Sequence, residues 1–145
     1  MIPTTLSDAL IRLALAAVLG GAIGLDREFH EKPAGLRTNM LIALGSALFA
    51  ILSVQLGAGA GSPDRIAAQV VTGIGFLGAG AILRTGDHIH GLTTAATIWV
   101  NAAIGMAAGL GSYTVAIVGA AITLVVLAVL PMMEDLVERR RGGRP

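Results

Sequence analysis

The chain is predicted to be an all-α polytopic membrane protein: a bundle of five transmembrane helices, with its N-terminus outside and its C-terminus cytoplasmic. Three observations predict this. First, of 145 residues 54% are hydrophobic and 13% charged, against about 25% charge in a soluble domain, and the mean hydropathy is +0.79. Second, the apolar residues gather at 6–25, 37–56, 66–83, 92–110 and 115–133, and nearly every charge falls between these stretches. Each is about 18–20 residues, enough at about 1.5 Å per residue to cross a hydrocarbon core about 30 Å thick. Backbone polar groups in lipid must be satisfied internally, so each stretch reads as a helix. Third, the basic residues divide unevenly. With five spans, Arg27, Lys32, Arg37, Arg84, Arg139, Arg140, Arg141 and Arg144 share one side, and only Arg65, with Arg12 just inside the first span, lies toward the other. The positive-inside rule makes the first side cytoplasmic.

The first span, 6–25, lacks a basic n-region and runs past signal-peptide length, so it reads as a retained helix. Asp8, Arg12, Ala16, Gly20 and Gly24 recur along it at every fourth position, with Glu28 continuing the row. Asp8 and Arg12 neutralise each other as an i,i+4 pair, with a polar mouth or partner contact as the other reading. Gly20 and Gly24 form a GxxxG pair, the ridge of a close helix crossing.

The loop 26–39 carries the most chemistry. Asp26, Arg27 and Glu28 end span one, Pro33 and Gly35 make a turn, and Arg37, Thr38 and Asn39 open span two. Three readings stand: a solvated ion-pair cluster, an internal salt-bridge lock between the carboxylates and Arg37, or an anion or ligand site at a helix N-terminus.

Span three, 66–83, holds Gly73, Gly75, Gly78 and Gly80, read as tight helix packing, with a locally unwound, cavity-lining segment as the alternative. The following link carries Asp87, His88 and His90. A His-x-His turn can chelate zinc or nickel, but the plain reading is a solvated loop, and no metal site is assigned.

Span four, 92–110, presents a polar stripe of Thr93, Thr94, Thr97 and Asn101 that runs on into the GxxxG pair Gly105 and Gly109. Intramembrane polar residues face the bundle or a wet cavity. Threonine can bond a preceding carbonyl, whereas Asn101 needs a partner, expected to be Gln69 or Thr72 of span three. The stripe is either interhelical glue or a binding or permeation site. Trp99 is read as an interhelical packing residue. Span five, 115–133, is apolar all round and expected to face lipid. Pro131 is expected to end it, leaving a basic tail at 134–145.

The net charge of +1 gives no reason to expect nucleic acid, and the absence of cysteine excludes disulfides and thiolate metal sites. No Walker A motif, nucleophile elbow or HExxH is present, so no enzyme and no cofactor are expected.

Four segments in order carry a resemblance: Gly24-Leu25-Asp26-Arg27-Glu28, Ala34-Gly35-Leu36-Arg37-Thr38, Gly73-Ile74-Gly75-Phe76-Leu77-Gly78-Ala79-Gly80 and Gly91-Leu92-Thr93-Thr94-Ala95-Ala96-Thr97-Ile98-Trp99. Over residues 6–130 the chain resembles the MgtC/SapB family. That resemblance implies a five-span bacterial inner-membrane protein linked to magnesium limitation. It implies a regulator of other membrane proteins, the F-type ATP synthase among them, with transport of Mg²⁺ or another small solute as the alternative. The matching positions are Asp26, Arg27, Glu28, Gly35, Arg37, Thr38, Gln69, Gly75, Gly78, Gly80, Thr94 and Trp99. Two departures set the chain apart from virulence-associated members: a basic tail where those carry an ACT-like cytoplasmic domain, and Thr93 and Val100 where those tend to have Asn and Cys. A homodimer is expected, held through one of the GxxxG rows.

Overall fold

The structure is a computed structural model that describes residues 5–57 and 65–141, with side chains throughout except at 132 and 134–141. In chain order the elements are α1 (Leu6–Phe29), α2 (Leu36–Gly57), α3 (Arg65–Gly80), β1 (Leu83–Thr85), β2 (His88–His90), α4 (Leu92–Gly109) and α5 (Tyr113–Arg141). Four helices contain windows long and apolar enough to cross a membrane: Leu6–Phe29, Leu36–Gly57, Leu92–Gly109 and Tyr113–Pro131. Their surfaces are correspondingly greasy, with Leu10, Val18, Leu41, Val115 and Ile122 all exposed. The chain is an integral membrane protein by these features.

The fifth expected span differs. α3 has 16 residues, about 24 Å of helix, short of a full crossing. It stops at Gly80, not at 83. The Ala81 and Ile82 N–H groups bond back to the carbonyls of Gly78 and Ala79 at 3.0 and 3.1 Å, a tightening typical of helix ends. Leu83 then pairs with His90, and Arg84 with Ile89, in an antiparallel hairpin. The all-α expectation holds for the five helices, and this short two-stranded element joins α3 to α4. Asp87 lies in its turn, and His88 and His90 stand exposed on β2 with ring centroids 6.4 Å apart.

Gly91 converts the hairpin into α4. Its φ is 87°, and a Cβ there would lie 2.0 Å from the Ala81 carbonyl oxygen, so only glycine makes this corner. α5 does not end at Pro131: the apolar window does, while the helix continues to Arg141. Proline removes one backbone donor and crowds the preceding turn, yet the helix carries through it. The expected basic tail therefore begins as helix. Arg144, and the side chains of Arg139, Arg140 and Arg141, lie outside what the structure describes.

Small residues decide the packing. α2 lies against both α1 and α4, which also touch each other; α3 packs on α2 and α4, and α5 on α4 and α1. The main core cluster is Ala16, Ile23, Ala43, Ala47, Ile104, Ala108, Ala116 and Ala120, and so many alanines bring helix backbones close together. Ala43 is the pinch point. A Cβ on Gly20 of α1 would lie 2.7 Å from its Cβ, and one on Gly105 of α4 only 2.2 Å from its carbonyl oxygen. Gly24 meets Leu36 and Gly109 meets Ala47 in the same way. Both GxxxG rows are thus consumed inside the chain, which corrects the expectation that one of them joins two copies.

Candidate functional site

The polar residues of the loop and of span four meet at the α1–α2 turn. Arg27 follows Gly24 by three positions, so it continues the face that α1 turns toward the bundle. It is 7% exposed. Its Nη2 donates to Thr94 Oγ1 at 3.0 Å, reaching from α1 to the first turn of α4. Its Nε is buried with no acceptor.

Glu28, one position on, crosses the turn instead. Its Oε2 accepts from the Leu36 backbone N–H at 2.8 Å, which satisfies an orphan donor at the start of α2 and places a carboxylate at the positive end of that helix. Gly35 makes room for it, since a Cβ there would lie 2.5 Å from Oε2. Of the three readings of this loop, the lock exists in altered form. Its acceptor is the backbone of α2, and neither Asp26 nor Glu28 pairs with Arg37 among the described residues. Arg37 and Thr38 point outward, and Asp26 faces His30, whose Nδ1 lies 3.5 Å from Asp26 Oδ1.

Asn39 is the hub between turn and bundle. Fully buried, it donates through Nδ2 to the carbonyls of Ala34 and Gly35. That holds the turn, in which Ala34 sits at φ 59°. From α4, Asn101 Nδ2 donates to Asn39 O at 2.8 Å and to Asn39 Oδ1 at 3.0 Å. Both partners are acceptors, which fixes the orientation of the Asn101 amide. Asn101 Oδ1 has no donor. The expected partners on α3 are corrected: Gln69 and Thr72 are exposed, because α3 turns only Ile74 and Gly78 inward. Thr97 bonds the Thr93 carbonyl at 2.8 Å. Thr94, Thr97 and Asn101 are buried between helices, with Thr94 at the edge of a cavity of about 380 Å³.

Two packing expectations are also corrected. Trp99 is 51% exposed, because two residues short of Asn101 is a turn of about 200° on a helix. It borders a cavity of about 350 Å³ between α3, α4 and α5. Added Cβ atoms at Gly73, Gly75 and Gly80 would meet nothing within 4 Å, while one at Gly78 would touch Ala95 at 3.6 Å. Gly73 and Gly80 are therefore open on one side of α3 and Gly75 on another, about 200° round from Gly73; Gly73 borders an apolar groove of about 690 Å³ shared with α2 and edged by Thr38, Ser46 and Gln69.

One linkage is legible only in three dimensions. At the other end of the bundle Arg12 holds Asp8 through Nε at 3.0 Å and Nη2 at 2.7 Å. Its Nη1 donates to the Gly109 carbonyl at 2.9 Å, and Tyr113 Oη donates to Asp8 at 3.4 Å. The i,i+4 spacing indicates the pair; nothing in it points to a carbonyl ninety-seven positions away. Among the described residues no three His, Asp or Glu gather as a metal site.

The family model for the MgtC family matches residues 13–136. The chain is 53% identical over 130 residues to "Putative magnesium transporter YhiD" of Escherichia coli K12, covering 85% of this chain and 60% of that protein. It is 46% identical over 134 residues to "Protein MgtC" of Brucella abortus, covering 90% and 56%. Against "Protein MgtC" of Salmonella typhimurium it is 43% identical over 130 residues, covering 90% and 54%. It thus spans little more than half the length of these curated relatives. No solved structure matches it.

Proposed function

The chain belongs to the MgtC family, and from that premise we propose that it is a bacterial inner-membrane protein of adaptation to magnesium limitation. It acts without catalysis, as a regulator that binds other membrane proteins helix to helix. The F-type ATP synthase is a candidate partner by family resemblance, and a second copy is another. In this reading the end bearing Arg27, Arg37 and Arg84 is cytoplasmic.

One observation carries the choice of regulator. The polar stripe of α4 is spent on internal bonds, with Asn101 fully buried, whereas α3 leaves Gly73, Gly75 and Gly80 facing open space. Glycine weakens a helix by about 1 kcal/mol relative to alanine, and these three gain no packing inside the chain. A helix approaching one side of α3 would use Gly73 and Gly80, and one approaching the other side Gly75. The partner face thus shifts from the GxxxG rows to α3.

Transport remains the second reading, favoured by the name of the Escherichia coli relative. Any path would run along the α2–α3 groove, where Thr38, Ser46 and Gln69 stand. The test pairs two measurements on wild type and Gly75→Leu: growth in low Mg²⁺ in a host lacking its own family member, and Mg²⁺ flux in proteoliposomes. The regulator reading expects wild type to support growth without flux, and Gly75→Leu to stay folded while losing growth support. Flux from wild type, or full growth support by Gly75→Leu, refutes it.

A further inference from the structure

We propose that the first turn of α4, together with Arg27 and Thr94, is a binding site for a phosphate oxyanion, presented on a phospholipid headgroup or as a free phosphate group. Three sources of positive potential converge there. The first is Arg27, 7% exposed, with no carboxylate within 4.0 Å among the described residues and Nε without an acceptor. A buried guanidinium left unpaired is costly, and its planar fork suits phosphate.

The second source is the helix end itself. The N-cap is Gly91, which supplies no side-chain acceptor, so the N–H groups of Leu92, Thr93 and Thr94 start an 18-residue helix uncapped. A helix N-terminus attracts anions through these donors and its dipole. The Ala81 carbonyl lies over Gly91 but accepts from none of the three. The third source is the Thr94 hydroxyl. Its oxygen accepts from Arg27 at 3.0 Å, which leaves its proton free to donate.

A cavity of about 380 Å³ lies against Thr94, walled also by Thr38, Pro33, Ala34 and the end of α3; Arg27 stands behind Thr94, which it holds at 3.0 Å, and is not itself a wall. Its wall Thr38 adjoins Arg37, and Pro33 adjoins Lys32, in sequence, and both cations are exposed. Of the opposing charges nearby, Glu28 caps α2, and Asp26 acts on Arg27 electrostatically without forming an ion pair with it. The cavity mouth carries Phe76 and Leu77, 81% and 53% exposed, the surroundings a headgroup with attached acyl chains would meet.

The test is thermal unfolding of the detergent-purified chain at constant ionic strength. The additions are phosphatidylglycerol, diacylglycerol with the same tails, and inorganic phosphate. Wild type should melt higher with phosphatidylglycerol than with diacylglycerol, as a ligand of the native state requires. Thr94→Val and Arg27→Gln should lower the apparent affinity roughly tenfold, as loss of one charge-assisted bond predicts. Thr94→Ser should retain it, which keeps the test readable if the other variants fold poorly. A rise with inorganic phosphate as well assigns the site to the free oxyanion, and a rise with the lipid alone assigns it to the headgroup. No rise in wild type with either, or an undiminished rise in Thr94→Val, overturns the proposal.

Discussion

Substituting Gly105 with alanine places a methyl 2.2 Å from the Ala43 carbonyl oxygen, 2.7 Å from its Cα and 2.8 Å from its carbonyl carbon. All three are backbone atoms of α2, so no side chain can swing aside. α2 and α4 would have to separate by roughly 1 Å to reach a normal contact, and a gap of that size forfeits a quarter to a half of each dispersion contact along the seam. Overpacking of this kind costs about 1–3 kcal/mol, and a backbone clash belongs near the top of that range. The gain of about 1 kcal/mol in helix propensity offsets part of it. The expected net loss is about 2 kcal/mol. Gly75→Ala is the matched control: its methyl meets nothing within 4 Å, so only the propensity gain applies, and it should be neutral or stabilising by up to about 1 kcal/mol. Both are measured by equilibrium unfolding in mixed micelles, followed by circular dichroism. If Gly105→Ala unfolds with wild type, or Gly75→Ala is equally damaging, the assignment of α4's glycines to the interior and α3's to the exterior is wrong.

Asn101→Leu removes two hydrogen bonds to Asn39 and should destabilise the fold by about 1–3 kcal/mol, seen in the same unfolding assay. Any loss of activity in this variant must be corrected for that loss of folded protein. Arg12→Gln breaks the Asp8 pair and the bond to the Gly109 carbonyl; an expected loss of about 1–2 kcal/mol should shrink in high salt, which screens the part-exposed ion pair. Gly35→Ala forces Glu28 off the start of α2, so it and Glu28→Ala should each cost about 1 kcal/mol. Their double variant should cost less than the sum, because both remove one interaction.

Burial of polar side chains was partly legible before the structure. The every-fourth-residue row of α1 pointed to Gly20 and Gly24 as a close-packing face, and the stripe of α4 pointed to Asn101 as a group in need of a partner. The partner was misplaced, because an amide's need for a hydrogen bond carries no address: Asn39 sat in the sequence as a loop residue at the head of span two. α3 departs from expectation for a related reason. Glycine suits close packing equally well inside a chain and against a neighbour, so Gly73, Gly75 and Gly80 could not reveal which side they serve. Trp99 shows the same gap between depth along a helix and direction around it.

Hydropathy and length, terms local to each segment, already determined that this chain lives in a membrane as a set of apolar helices, because water and lipid act on every residue one at a time. Recurrence at every fourth position determined which helix faces are small enough for close approach. Only the tertiary structure decided which faces meet: α2 between α1 and α4 at Ala43, Arg27 on Thr94, Arg12 on the carbonyl of Gly109, α3 left with its glycines outward. Those choices depend on the shapes and unsatisfied groups of several helices at once, and no single segment contains them.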